Sequence, residues 1–191
     1  METFPEAETP GVLRNQVREM QEQAWPSTEH GSPVDLGPVH DPALRPLSIL
    51  LVEDDTVLCA LDVLFKQIVH AGQELSSAGL STVVTPCAHR GRGYGRTLVT
   101  WAREALPELD VDLGLFTCDR PLGAFYEACG WEILPGTVLV GGTPDQPFPS
   151  DQPGFDKVTL GAFFTPTAIN VRESMLDARV MLYCGVTDKL W

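Results

Sequence analysis

The 191-residue sequence is short of positive charge: 13 Lys and Arg stand against 26 Asp and Glu, a formal net charge of −13. Nucleic acid is held by clustered Lys and Arg, so this balance excludes it as a partner. No run reaches the roughly 18 apolar residues of a membrane-spanning helix, so no membrane segment is expected. The first ten residues, METFPEAETP, hold three glutamates and no base, the wrong chemistry for a signal peptide. The five cysteines (59, 87, 118, 129 and 184) are odd in number and widely spaced, with no CxxC pair. That argues against a disulfide framework and a zinc site; no metal is expected, and the compartment predicted is the cytoplasm.

What is present suits one folded domain over residues 1–191, with 43% hydrophobic and 8% aromatic residues to build a core. The charge is unevenly spread. Residues 1–55 carry 11 acids and 3 bases, 56–103 carry 2 acids and 5 bases, and 104–191 carry 13 acids and 5 bases. An acidic protein with one basic island suits two small partners of opposite charge, although acidity also serves plain solubility.

Residues 11–24 space Val12, Leu13, Val17 and Met20 on one helical face. Five prolines in 26–46 predict a long surface loop. Leu47–Val52, the β-branched run from Thr56 to His70, and Leu75–Thr85 read as an antiparallel meander, with turns at Glu53-Asp54-Asp55 and Ala71–Glu74. A helix is predicted over Thr97–Leu106, a strand over Val111–Cys118, a short helix over Leu122–Ala128 and a strand start at Gly130–Leu134. Residues 141–154, with four prolines and three glycines, read as an exposed loop, and Val158–Phe164 and Arg179–Cys184 as further strands. The fold class expected is α/β: a mixed, mostly antiparallel sheet flanked by helices.

The basic island centres on Arg90-Gly91-Arg92-Gly93-Tyr94-Gly95-Arg96, between a strand and a helix. Glycines admit positive φ and close approach of the backbone. The free N–H groups of a helix start, with the helix dipole, attract anions, and successive amides can nest a pyrophosphate. No GK[ST] follows, so this is not a Walker loop, and its last glycine does not fit the dinucleotide fingerprint. A flexible basic turn is the plain alternative.

Arg90-x-x-Gly93-x-Gly95 resembles the acyl-CoA pyrophosphate loop of the GNAT N-acetyltransferases. Ser81–Thr85 resembles that family's fourth strand, and Phe125-Tyr126-Glu127-Ala128-Cys129-Gly130-Trp131 its tyrosine helix and Gly-Trp strand start. The resemblance spans residues 47–135, the acetyl-CoA core, with 136–191 as C-terminal strands and a substrate and dimer region. The C-terminal half is similar to the aminoglycoside 2'-N-acetyltransferases: Leu113-Gly114-Leu115, the proline-rich loop, and a tail of the form Leu182-Tyr183-Cys184…Asp188…Trp191. That branch carries an acid where Ser81 aligns, its tail is one residue shorter, and residues 1–46 match it poorly.

The resemblance implies acetyl transfer from acetyl-CoA to an amine of an aminoglycoside, at the 2' position, inactivating the antibiotic. The missing acid at Ser81 and the divergent first 46 residues imply an unusual pocket, which kasugamycin, a small atypical aminoglycoside, would suit. It implies a homodimer, coenzyme binding by Val83, Val84, Thr85, Arg90, Gly91, Arg92, Gly93, Tyr94, Gly95 and Arg96, and proton donation to the coenzyme sulfur by Tyr126. The carboxylate of Trp191 would receive the substrate's ammonium, with Ser81, Asp35, Asp177 and Asp188 forming the amine-binding wall. His30, His40, His70 and His89 have no partner that the sequence places. Cys118 and Cys129 flank the proposed centre without a supporting histidine and read as packing residues. Two other readings stay open: a GNAT enzyme for another small cationic amine, and a non-catalytic acyl-CoA-binding module.

Overall fold

The computed structural model describes residues 1–26 and 37–191. Strand β1 (Glu2–Pro5) leads through a 3-10 turn at Glu6–Glu8 into helix α1 (Gly11–Ala24). Strands β2 (Leu47–Glu53), β3 (Thr56–His70) and β4 (Gln73–Val84) form the antiparallel meander. Both its turns have two successive positive-φ residues, Asp54-Asp55 (47° and 60°) and Ala71-Gly72 (48° and 75°), the twist that suits a tight hairpin. Helix α2 (Tyr94–Ala105), β5 (Leu113–Asp119), α3 (Gly123–Glu127) and β6 (Glu132–Ile133) follow. Strands β7 (Val138–Gly142), β8 (Pro147–Pro149) and β9 (Lys157–Phe163), helix α4 (Pro166–Met175) and β10 (Arg179–Met181) complete the elements.

A seven-stranded sheet runs β1-β2-β3-β4-β5-β9-β6, and a three-stranded sheet β10-β7-β8. Every pairing in the large sheet is antiparallel except β4 with β5. That parallel pairing holds only at Ser77 with Leu113 and Ala78 with Gly114. Beyond it the two strands part, leaving a V-shaped opening between Gly79–Val84 on one arm and Leu115–Asp119 on the other.

The two faces of the sheet are covered differently. Ala78 and Leu80 of β4 point into the cluster holding Leu98, Val99 and Ala102 of α2 and Phe116, Tyr126 and Trp131. The rings of Tyr126 and Trp131 stand edge-on to Phe116, at 5.1 and 4.7 Å between centroids, the geometry aromatic quadrupoles favour. Gly114 has no Cβ because Trp131 occupies its place. Leu75, Leu113 and Leu115 pack instead against α4, and Leu50, Ala60 and Val84 against α1. Because side chains alternate along a strand, Gly79 and Ser81 also face this second side.

Several elements differ from the sequence reading, which has no counterpart to helix α4 and strand β7. Residues 2–5 are a strand, added antiparallel at the edge of β2. The expected loop over 141–154 is partly sheet: Val140, Gly141 and Gly142 pair with Pro149, Phe148 and Pro147. The strand expected over Arg179–Cys184 stops at Met181, parallel to β7. The remaining tail is irregular but fastened: Lys189 O accepts from Gly142 N–H, and Gly185 N–H donates to Gly142 O.

Candidate active site

The arms of the V are held at its apex by Asp112. Its backbone N–H donates to Ser76 O, its Oδ2 accepts from Ser76 N–H, and its Oδ1 accepts from Thr165 Oγ, each at 2.8 Å. Just beyond the apex sits the indole of Trp191. It lies where a Cβ on Gly79 would stand, and its Nε1 donates to Leu115 O at 2.9 Å. One side chain thus spans both arms and fills the base of the opening.

Higher on β4 the ladder breaks. Ser81 is opposite Asp62 and Val84 is opposite Ala60, so Thr82 and Val83 are left over against Leu61. Thr82 takes φ +47°. This bulge leaves Thr82 and Val83 without a ladder partner in β3 or β5, so their backbone polar groups are open to an added extended ligand. Thr85 follows, with its Oγ1 3.2 Å from where a Cβ of Gly95 would lie and its carbonyl accepting from Arg90 Nε at 3.0 Å.

The glycine-arginine loop ends in α2, capped by Gly93 at φ +86°; Gly91 is at +76°. Nothing lies within 4 Å of a Cβ built at either, so both form an open cradle above the first turn of the helix. Arg92 and Arg96 are exposed, and the ring of His89 lies 6.1 Å from that of Tyr94 with its buried Nδ1 unpaired. Free amides, a helix start, three arginines and an unused ring nitrogen fit a pyrophosphate.

Tyr126 lies across the sheet from Trp191, on the α2 and α3 face, and is 6% exposed. Burial above all, then nearby Cys118, Cys129 and Asp119, pushes its pKa well above the ordinary value, so it keeps its proton at neutral pH. Its hydroxyl has no hydrogen-bond partner among the described residues, which leaves it free to donate to a ligand. Burial also pushes the thiol of Cys118 up to about 11. That thiol is not ionised near pH 7 and is not an activated nucleophile.

Of the acids expected at the amine wall, Asp35 lies outside the described residues. Asp188 is exposed in the tail, and Asp177 is exposed in the turn after α4, its N–H bonded to Pro135 O. Among the described residues no hydrogen bond or ion pair joins either to Ser81 or Trp191. Ser81 instead meets His40 and Asp62, which the sequence reading left unplaced. The signal for Asp62 was an acid inside the apolar run Ala60-Leu61-Asp62-Val63-Leu64, where a charge has no place without partners.

No protein-family model and no curated protein matches the sequence. Solved structures do match. An acyl-CoA N-acyltransferase from Pseudomonas aeruginosa superposes with a TM-score of 0.56 at 15% identity, covering 84% of this chain and 96% of that one. The fold is the GNAT acetyltransferase fold. A GCN5-related N-acetyltransferase from Kribbella flavida covers 70% of this chain and 34% of its own at 19% identity, TM-score 0.53. An aminoglycoside 6'-N-acetyltransferase complexed with coenzyme A covers 87% and 98% at 14% identity, TM-score 0.54. Along the chain, the bulge at Thr82–Val83 and the cradle before α2 follow the β4 arm of the opening. Among the described residues no helix is long and apolar enough to cross a membrane.

Proposed function

We propose that the protein is an acetyl-CoA-dependent N-acetyltransferase whose acceptor is an amine of a small aminoglycoside, with the 2'-amine of a kasugamycin-like compound as the reading to test. The observation that carries the transferase assignment is the continuity of the V, the unpaired bulge and the glycine cradle. Together they offer an acyl-CoA a pyrophosphate site, a strand edge for its pantetheine arm and an apolar interior in that order. The acceptor assignment is supported by the net charge of −13, which favours a polycation, and by the shared fold of an aminoglycoside 6'-N-acetyltransferase.

Bound acetyl-CoA supplies an acyl group activated as a thioester. The amides of Gly91–Gly95 would hold its pyrophosphate, with Arg90, Arg92 and Arg96 around them. Val83, Val84 and Thr85 would pair with its extended arm, and the Val83 N–H would donate to the acyl oxygen, where negative charge develops. Tyr126 would give its phenolic proton to the departing sulfur. Trp191 closes the base of the groove over Gly79, so the acceptor amine would enter beside Ser81.

Purified protein should release coenzyme A thiol from acetyl-CoA only when an amine is added. Turnover with kasugamycin and other aminoglycosides, with the acetylated nitrogen located by NMR, supports the full reading. Turnover with polyamines alone reassigns the acceptor. Thermal stabilisation by coenzyme A without turnover on any amine leaves only an acyl-CoA-binding module.

A further inference from the structure

The face of β4 that carries Trp191 also carries a buried polar cluster beside the groove. The imidazole of His40 has its Nε2 3.0 Å from Ser81 Oγ and its Nδ1 3.3 Å from Glu6 Oε2. Its side chain and that of Glu6 are 9% and 8% exposed. The Nδ1 contact is off the hydrogen-bond line, an ion-pair distance with imperfect alignment. Glu6 is fixed from the other side, its oxygens accepting from the backbone N–H of Val39 at 2.6 Å and of His40 at 3.3 Å. Asp62, 4% exposed, lies beside the pair and accepts from Ser48 Oγ at 2.6 Å and Thr82 Oγ1 at 2.5 Å.

Three features set this apart from a buried polar contact that only holds the fold. The chain of groups is directional: carboxylate, imidazole, hydroxyl. Hydrogen on Nδ1, facing Glu6, leaves the Nε2 lone pair to accept from Ser81 O–H. The hydroxyl at its end is half-buried, whereas the ring behind it is closed off. And that hydroxyl stands next to the bulge at Thr82–Val83, on the face that leads past Gly79 to Trp191.

Resting on the transferase reading above, we propose that His40 accepts the proton of the acceptor amine, delivered through the Ser81 hydroxyl and oriented by Glu6. The ammonium gives a proton to Ser81 Oγ as the Ser81 hydroxyl proton passes to His40 Nε2. The nitrogen lone pair so freed forms the N–C bond as the C–S bond breaks, and the sulfur takes the proton of Tyr126. The acylated nitrogen then gives up its second proton, which restores the Tyr126 phenol, and the imidazolium returns its proton to solvent.

The charges around the ring suit a transient cation. Glu6 faces it as an anion from the first turn, and Asp62 faces it from β3, where burial pushes its pKa up. The side chain of Asp41, next in sequence, instead accepts from Ala43 N–H. Arg14 and Arg18 of α1 line the small cavity that Glu6 and Asp62 share, and donate to backbone carbonyls of Ala7, Thr9 and Gly37. Burial disfavours an ionised Glu6, but the contact with His40 and the Val39 amide outweigh it and lower its pKa. A standing anion behind the ring is what a general base of this kind needs.

The test compares wild type with His40→Gln, Ser81→Ala and Glu6→Gln. Coenzyme A should raise the melting temperature of all four alike. His40→Gln should lower kcat/KM for the amine by about 10²- to 10⁴-fold, the span of a general base, and lose the acidic limb of the pH profile. Glu6→Gln should lower kcat/KM in the same direction as His40→Gln, because it removes the group that orients the ring. Ring-nitrogen NMR of the free protein should show His40 as the Nδ1–H tautomer. A folded His40→Gln with wild-type kcat/KM and an unchanged acidic limb overturns the role, as does an Nε2–H tautomer. If His40→Gln fails to fold, Ser81→Ala decides: undiminished kcat refutes the relay, and a loss of tenfold or more with intact coenzyme binding upholds it. Wild-type protein that turns over no amine refutes the transferase reading itself, and this role with it; turnover by wild type equalled by His40→Gln refutes only the role.

Discussion

The Nε1 of Trp191 donates to the carbonyl of Leu115, on the β5 arm of the opening, while the same indole lies over Gly79 on the β4 arm. Two strands that pair at only two registers are thereby bridged again by a side chain from the far end of the chain. The contact is specific to glycine, because the ring occupies the space of a Cβ. Gly79→Val should expel the indole or force the strands apart, costing about 1–3 kcal/mol as overpacking does. It should raise KM for the amine, and Trp191→Ala should reproduce that change without the steric clash. Wild-type melting temperature and kinetics in Gly79→Val would remove the wedge from the account.

Gly93 caps α2 at φ +86° with open space where a side chain would go. The penalty of Gly93→Val is therefore conformational, about 1 kcal/mol or more, added to a branched side chain across the path of a ligand. The expected result is a modest fall in melting temperature and a large fall in stabilisation by coenzyme A. Unchanged coenzyme affinity in the folded variant would remove the cradle as the pyrophosphate site.

Tyr126→Phe keeps the ring that packs on Phe116 and removes the proton. It should lower kcat by about 10- to 1000-fold while leaving acetyl-CoA binding intact. Because burial holds the phenol proton to high pH, wild type should show no basic limb from Tyr126 between pH 7 and about 10. Near-normal kcat in Tyr126→Phe, with chemistry shown to limit turnover, would make the residue a packing group.

Glu6 predicts a pH signature in stability. Its folded pKa lies below the ordinary 4.5, so ionised Glu6 contributes stability that is fully present above pH 4.5 and is lost as pH falls through the folded value. Asp62, pushed up by burial above its ordinary 3.8, acts in the opposite sense, contributing most below pH 3.8 and losing that contribution as pH rises through its folded value. Denaturant melts of wild type and Glu6→Gln should differ most near neutral pH and converge below pH 4.5. A constant difference across that range would mean Glu6 is not held as an anion.

The parts legible in the sequence were those whose signals are local. Strand β3 has the bounds read from its run, because Thr56 and His70 abut turns that the sequence also marks. The cradle was legible because glycine spacing and a following helix are contiguous. Strands β1 and β8 were missed because edge strands of three or four residues carry no periodicity. Helix α4 carries a local signal in the sequence: Thr165 caps it by accepting from Ala168 N–H, and Pro166 begins its first turn. His40 could not be read at all, since its partners Glu6 and Ser81 are 34 and 41 residues away and only the folded sheet unites them.

The pairing of β4 with β5 through Ser77–Leu113 and Ala78–Gly114 alone makes the large sheet mechanically uneven. On one side of that seam β2, β3 and β4 share long ladders; on the other, β5 and β9 share seven residue pairs. Between them stand the Asp112 staple at the apex and the indole bridge above it. A tear started by heat or urea would run along this seam before it crossed either ladder. Native-state hydrogen exchange should therefore resolve two cooperative blocks, β2–β4 and β5–β9, each outlasting the seam that joins them. The groove that would receive the ligand is also the line of least cohesion in the sheet, so a ligand laid along it would act as a suture.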